Sequence, residues 1–159
     1  MERILRSSAA IGPVGLFEDI LARGFMLRVR VTGKSMTPFL KGQEVLSIRK
    51  VPGLSLRKGD LIFFKNRDGR PVIHRIVRKR RNGNAGIIFQ TKGDALAAPD
   101  EPVREEHILG KVCTVENGPD RVDLETGIRR AVNYLVAAAS LSKVWLHIAL
   151  RRLLGPVRG

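Results

Sequence analysis

Residues 71–91 read PVIHRIVRKRRNGNAGIIFQT, two apolar runs on either side of an Asn82-Gly83 pair. An Asn-Gly pair supplies the positive φ angles that a tight β-hairpin turn needs. The stretch therefore predicts two antiparallel strands, residues 71–78 and 86–91, joined by a turn. A hairpin of this length at the middle of the chain favours a mainly β fold.

Further short strands are predicted on both sides of this hairpin. Leu27, Val29 and Val31 alternate with polar residues, as expected of a half-buried strand. Asp68-Gly69 marks a second hairpin turn. The other predicted strands cover residues 44–49, 60–65, 108–115 and 121–124. We therefore expect residues 26–125 to form a mainly β domain, an antiparallel, barrel-like sheet.

Two helices are predicted to flank the sheet. Residues 14–23, VGLFEDILAR, place apolar side chains at helical spacing and are followed by Gly24, a typical helix end. Residues 129–154 read as one long amphipathic helix that ends at Gly155-Pro156. The expected organisation is an N-terminal segment 1–25 with a short helix, a β-rich domain 26–125 and a C-terminal helix 127–155.

The long helix carries a narrow polar stripe on an otherwise apolar surface. The stripe consists of Asn133, Ser140, Lys143, His147 and Arg151. A lysine at the centre makes membrane spanning unfavourable. Two placements remain open: the helix lies in the interface of an anionic membrane, with its basic flanks on the headgroups, or it packs its apolar face on the sheet or on a second subunit.

Composition limits the class of protein and of partner. A length of 159 residues suits one principal core, and 43% hydrophobic residues exclude a disordered chain. The charge is +14, from 29 Lys and Arg against 15 Asp and Glu, which predicts anionic partners. The single cysteine, Cys113, excludes an internal disulfide and is expected to be buried. We predict no cofactor and no metal, since His107 has no partner at ligand spacing.

The run Arg78-Lys79-Arg80-Arg81 is the most concentrated charge in the chain. It adjoins the Asn-Gly turn, and few aromatic residues accompany it that could stack on bases. A solvated hairpin tip is therefore favoured over a nucleic-acid site.

Three kinds of side chain that support nucleophilic catalysis are present. Ser35 follows Gly33 and precedes a proline-bearing turn, a suitable position for a nucleophile. His74 lies among apolar neighbours on its strand and is the candidate base. Asp94 and Asp100, in one loop after a strand, are candidates for orienting the imidazole.

Several blocks of the chain, in this order, resemble the catalytic core of the type I signal peptidases. They are VTGKSMTPFLKGQEVLSI (31–48), LRKGDLIFF (56–64), PVIHRIV (71–77), FQTKGDALAAPD (89–100) and ILGKV (108–112). The resemblance is greatest to the histidine-type branch of archaea, the endoplasmic reticulum and some Gram-positive bacteria, because His74 stands where the main bacterial branch has lysine.

The resemblance implies a serine endopeptidase that cleaves extended, signal-peptide-like segments after small residues. It implies Ser35 as the nucleophile, His74 as the general base, and Asp94 and Asp100 as the two aspartates that complete the relay. A protein or peptide substrate is thus expected. The alternative is a non-catalytic or self-cleaving module of the repressor-peptidase type that binds DNA or protein through its basic surface.

Two features depart from the family pattern. Ala95 stands where members usually have asparagine, and residues 1–25 lack an apolar run long enough for a signal peptide or an amino-terminal anchor. We therefore expect membrane association to be peripheral or through the C-terminal helix, with a cytoplasmic protein as the alternative.

Overall fold

The computed structural model describes residues 5–6, 14–83 and 86–154, with the side chains of 14–83 and 86–141. Within these residues the chain forms one sheet of nine strands and two α-helices. The strands are β1 (Leu5–Arg6), β2 (Leu27–Arg30), β3 (Val45–Arg49), β4 (Leu61–Lys65), β5 (Pro71–Arg81), β6 (Ile87–Lys92), β7 (Val103–Arg104), β8 (Ile108–Asn117) and β9 (Asp120–Asp123). The helices are α1 (Val14–Ala22) and α2 (Gly127–Leu154).

The sheet is antiparallel except for the pairing of β1 with β2, so the mainly β prediction is confirmed. Its order is β1-β2-β3-β8-β4-β5-β6-β7. The long strand β8 pairs with β3 along one edge, and with β4 and then β9 along the other. The sheet is not closed among the described residues, since β1 and β7 stand at its two ends. The expected antiparallel sheet is therefore confirmed, whereas its barrel-like closure is not found among the described residues.

Two apolar clusters pack on opposite faces of the sheet. Because successive side chains of a strand point to opposite faces, Phe63 on β4 lies in one cluster while Ile62 and Phe64 lie in the other. Cys113 on β8 is buried, as expected, and this burial raises the pKa of its thiol. A core on each face holds the sheet's central strands, which carry the candidate base, in a fixed register.

Helix α1 covers the first of these clusters. It buries Phe17, Ile20 and Leu21, and the Phe17 ring meets the Phe63 ring edge-on at 5.6 Å between centroids. The helix ends at Ala22, and Gly24, two residues later, has a φ of 79° that favours glycine. The predicted short helix is confirmed.

Helix α2 contacts the sheet through two residues of its polar stripe, Asn133 and Ser140. Asn133 is buried against the sheet, whereas Ile128, Val132 and Leu135 are exposed. The inward side of the described part of the helix therefore combines the apolar Ala137, which is fully buried, with Asn133, which provides an acceptor for a buried cation of the sheet. The side chains of Lys143, His147 and Arg151, and the predicted end at Gly155-Pro156, lie outside the described residues. None of the helices in the described part of the chain has the length and hydropathy that a membrane span requires.

Candidate active site

Ser35 lies in a tight turn between β2 and β3 that the core holds in place. The N–H of Thr37 donates to the Lys34 carbonyl at 3.1 Å, and the N–H of Leu40 donates to the Met36 carbonyl at 2.9 Å. The side chains of Met36 and Leu40 are almost completely buried in the first apolar cluster. Ser35 directly precedes Met36. Its side chain is half-buried and keeps access to solvent.

His74 is a buried residue of β5, in register with Ile62 of β4. The Phe64 ring lies against the imidazole, with 6.2 Å between the ring centroids. The apolar surroundings that the sequence predicts for this histidine are therefore present. They exclude water from all but the polar edge of the ring.

Asp100 is held at the end of the loop that follows β6. Its N–H donates to the Thr91 carbonyl at 2.8 Å, and the Thr91 hydroxyl donates to Asp100 Oδ2 at 2.6 Å. Burial alone would raise the pKa of Asp100, but the hydrogen bonds from His74 and Thr91 outweigh it, and the pKa lies below its ordinary value. The side chain is therefore a carboxylate near neutral pH.

These three side chains form a continuous line of hydrogen-bonded atoms. His74 Nε2 lies 3.1 Å from Ser35 Oγ, and His74 Nδ1 lies 2.7 Å from Asp100 Oδ2. Because the Asp100 carboxylate can only accept, a neutral imidazole carries its proton on Nδ1 and leaves Nε2 free to accept from the Ser35 hydroxyl. This is the arrangement in which an imidazole can remove the proton of an attacking alcohol.

Asp94, the other candidate for orienting the imidazole, binds a different residue. Its carboxylate accepts two hydrogen bonds from the Arg75 guanidinium, at 2.9 and 2.7 Å. His74 and Arg75 are neighbours on β5, so their side chains point to opposite faces of the sheet. One loop thus supplies a carboxylate to each face, and only Asp100 reaches the imidazole.

The same loop also supports the serine turn, a contact that the sequence reasoning missed. The Ala95 N–H donates to the Ser35 carbonyl at 2.9 Å. A Cβ at Gly93 would lie 2.7 Å from that carbonyl oxygen, so only glycine permits the close approach. The sequence signal was the KGD block together with the next residue: Gly93 is required for this packing, and Ala95 contributes its backbone N–H.

An apolar cavity of about 250 Å³ opens beside Ser35. It lies between the end of β2 and the start of β5. Among the described residues, β2 is unpaired on its β1 side after Arg28, and β5 is unpaired on its β6 side before Arg75. The residues that form its walls include Phe17, Val29, Val31, Met36, Phe63 and Ile73. The cavity can take a small apolar side chain next to the serine hydroxyl.

The basic run on β5 divides between the two faces of the sheet. Lys79 points inward, where its amine donates to the carbonyls of Gly53, Leu54 and Leu56 and lies over the Phe89 ring. Arg80 and Arg81 are exposed. His107 is also exposed, beside Glu106. Across the described residues, no group of three or more His, Cys, Asp or Glu side chains is placed to hold a metal ion.

Comparison with known proteins gives one informative match. No protein-family model matches the chain. Signal peptidase I W of Bacillus subtilis (strain 168) is 33% identical over 87 residues, which are 54% of this chain and 45% of that protein. The chain thus spans about half the length of the curated relative it matches. This partial match supports the type I signal peptidase family.

Proposed function

We propose that this protein is a serine endopeptidase of the signal peptidase I type, with Ser35 as nucleophile, His74 as general base and Asp100 as the residue that orients the base. The observation that carries the proposal is the line of two contacts, 3.1 Å from Ser35 Oγ to His74 Nε2 and 2.7 Å from His74 Nδ1 to Asp100 Oδ2. The residues come from three separate segments of the chain, and a core histidine would need no serine and no acid in line with it.

In the proposed reaction, Ser35 Oγ attacks the scissile carbonyl carbon while His74 Nε2 accepts the hydroxyl proton. Backbone N–H groups near Ser35 stabilise the oxyanion, a contact for which the loss of one donor costs about 2.7–4 kcal/mol in other enzymes. The imidazolium then donates its proton to the leaving amine, and an acyl-enzyme remains. Water, deprotonated by His74, hydrolyses this ester and restores the serine.

We assign the protein to the histidine-type branch of the family. The support is that the side chain in contact with Ser35 is an imidazole. Lys92, a buried lysine in the same region, donates to Ser140 Oγ at 2.8 Å and to the Gly93 carbonyl at 3.4 Å. The self-cleaving repressors and the main bacterial branch use a lysine as base. The contact between Ser35 and the His74 imidazole therefore favours the histidine-type peptidase over the repressor-type module.

The proposed substrate is an extended peptide with small apolar side chains before the cut. A peptide added to the unpaired edge of β2 beyond Arg28 would bind through backbone hydrogen bonds, as in other cases of strand addition. The apolar cavity beside Ser35 would then select the side chain next to the scissile bond. We further propose that the exposed apolar side of α2 associates with an anionic membrane surface.

Two substitutions test the proposed reaction with matched controls. Ser35→Ala and His74→Ala should each abolish cleavage of a reporter peptide that carries an Ala-x-Ala segment, with unchanged circular dichroism spectra. Ser55→Ala and His107→Ala, which change residues of the same two types in exposed or partly exposed turns, should retain full activity. Cleavage by the Ser35→Ala protein at the wild-type rate would contradict the proposal.

A further inference from the structure

Two buried cations lie side by side beneath α2. Arg75 of β5 and Lys92 of β6 are register partners, so their side chains share the face that the helix covers. Their exposed fractions are 0% and 4%. A buried cation is stable only where acceptors surround its N–H groups, so this face of the sheet requires a polar cover.

The helix supplies neutral acceptors to both cations. Arg75 Nη1 donates to Asn133 Oδ1 at 2.9 Å, and Lys92 Nζ donates to Ser140 Oγ at 2.8 Å. Asn133 and Ser140 are seven residues apart, which is two helical turns, and therefore lie on the same side of α2. The two members of the polar stripe whose side chains are described, Asn133 and Ser140, thus face inward.

Arg75 connects this helix to the proposed catalytic residues. The opposite edge of its guanidinium binds Asp94 through two hydrogen bonds, at 2.9 and 2.7 Å. The Phe39 ring, in the serine turn, lies 4.9 Å from the centre of the guanidinium. Asp94 opens the loop that carries Asp100, and the next residue, Ala95, donates to the Ser35 carbonyl. One guanidinium therefore contacts the helix, the acid's loop and the serine's turn.

The close approach of α2 depends on Gly59, which lies two residues before β4. Arg75 Nη1 also donates to the Gly59 carbonyl, at 3.1 Å. A Cβ on Gly59 would lie 2.8 Å from the backbone carbon of Asn133, so the absence of a side chain permits the helix to reach Arg75. Asn133 is consequently fixed by backbone contact and is 6% exposed.

We infer that Asn133 is a positioning residue of the proposed peptidase: it fixes Arg75, and through Arg75 and Asp94 it holds the loop that aligns Asp100, His74 and Ser35. The inference rests on the proposed function and extends it, since it makes α2 a part of the active enzyme. It predicts that the helix acts on the chemical step, because no atom of Asn133 lies at the cavity beside Ser35.

Asn133→Leu tests the inference, because leucine keeps the volume and removes the acceptor. We expect kcat on the Ala-x-Ala reporter to fall about 10- to 100-fold, the loss that a displacement of about 1 Å brings in other enzymes. KM should change little, since the peptide groove is not touched. Asn133→Asp, which keeps an acceptor oxygen for Arg75, should restore most of kcat.

The matched control is Asn82→Leu, the same change at an exposed position of the hairpin turn after β5, which should leave both constants unchanged. If Asn133→Leu does not fold, Asn133→Ser carries the test, since serine is polar but too short to reach Arg75. A folded variant that lacks the acceptor and keeps wild-type kcat would overturn the inference and leave the proposed function intact. Activity that is unaffected by Ser35→Ala would overturn the proposed function, and the inference with it.

Discussion

Asp100 determines which nitrogen of His74 can accept the proton of the serine hydroxyl. Its carboxylate fixes the proton of His74 on Nδ1, and only this tautomer presents a free Nε2 to the hydroxyl. Asp100→Asn should therefore lower kcat about 10⁴-fold, as the corresponding change does in other serine peptidases, because the amide can stabilise the wrong tautomer. Steady-state cleavage of the reporter measures this, and a loss of less than tenfold would show that the acid is dispensable.

The lowered pKa of Asp100 also predicts how stability depends on pH. A carboxyl whose folded pKa is below its unfolded value of 3.8 stabilises the fold fully above that value and loses this contribution as the pH falls through the folded pKa. Wild-type protein should thus lose stability more steeply than Asp100→Asn on acidification below about pH 3.8. Urea unfolding at a series of pH values tests the slope, and equal slopes for the two proteins would contradict the assigned pKa direction.

The choice between the two aspartates could not be made from the sequence. Ser35, His74 and the loop of Asp94 and Asp100 could be named as candidates from a turn, an alternating strand and a loop after a strand, and their roles followed from the resemblance to the signal peptidases. Which acid faces the histidine depends on how the loop crosses the end of β5, where Arg75 takes the first carboxylate and His74 the second. Arg75 and Thr91 were missed because their neighbours in sequence give no sign of their partners.

At the level of the elements, the strands with a clear apolar period were predicted within a few residues. The short strands β1 and β7 were missed, since two residues carry no period. Strand β5 runs to Arg81, beyond the apolar stretch, because a bulge between Ile76 and Arg78 changes which side chains face inward. Lys79 then packs its chain over Phe89, so a basic run continues a strand that its charge alone would not predict.

Gly59 provides a test of how α2 docks on the sheet. Gly59→Ala places a Cβ 2.8 Å from the helix backbone, and its φ of 97° is also unfavourable for alanine. Gly69→Ala is the matched control, because its φ of 73° carries a similar strain while no atom lies within 4 Å of the added Cβ. Strain of this kind costs about 1–3 kcal/mol, so we expect that loss in the free energy of unfolding for Gly69→Ala and a clearly larger one for Gly59→Ala. Equal losses in thermal or urea unfolding would mean that α2 does not pack as described.

At the scale of the whole molecule, a net charge of +14 and the exposed apolar side of α2 support the proposed membrane association. The division into segments 1–25, 26–125 and 127–155 stays a prediction, as do the natural substrate and the end of the helix. The sequence indicated the amphipathic character of α2 but not its orientation, because the cations that bind Asn133 and Ser140 come from β5 and β6, far from the helix in sequence.

Two leucines allow a controlled test of this membrane surface. Leu135 on α2 and Leu54 in the turn Gly53–Ser55 are each 65% exposed, so their replacement by aspartate changes charge and exposure equally. Leu135→Asp should weaken binding to vesicles that contain anionic lipid about tenfold or more, because burial of a leucine side chain is worth about 1.5–3 kcal/mol. Leu54→Asp should bind like the wild type at matched net charge. Equal weakening by both variants in a sedimentation assay would exclude α2 as the contact surface.

The most direct measurement of the central claim is covalent labelling of Ser35. Wild-type protein is incubated with a serine-reactive acylating probe near neutral pH, and the modified residue is identified by peptide mass spectrometry. The account predicts a label on Ser35 alone, formed at a rate that His74→Ala and Asp100→Asn both reduce strongly. A label on Ser35 that forms equally fast without the imidazole, or one spread over exposed serines such as Ser55, would contradict it.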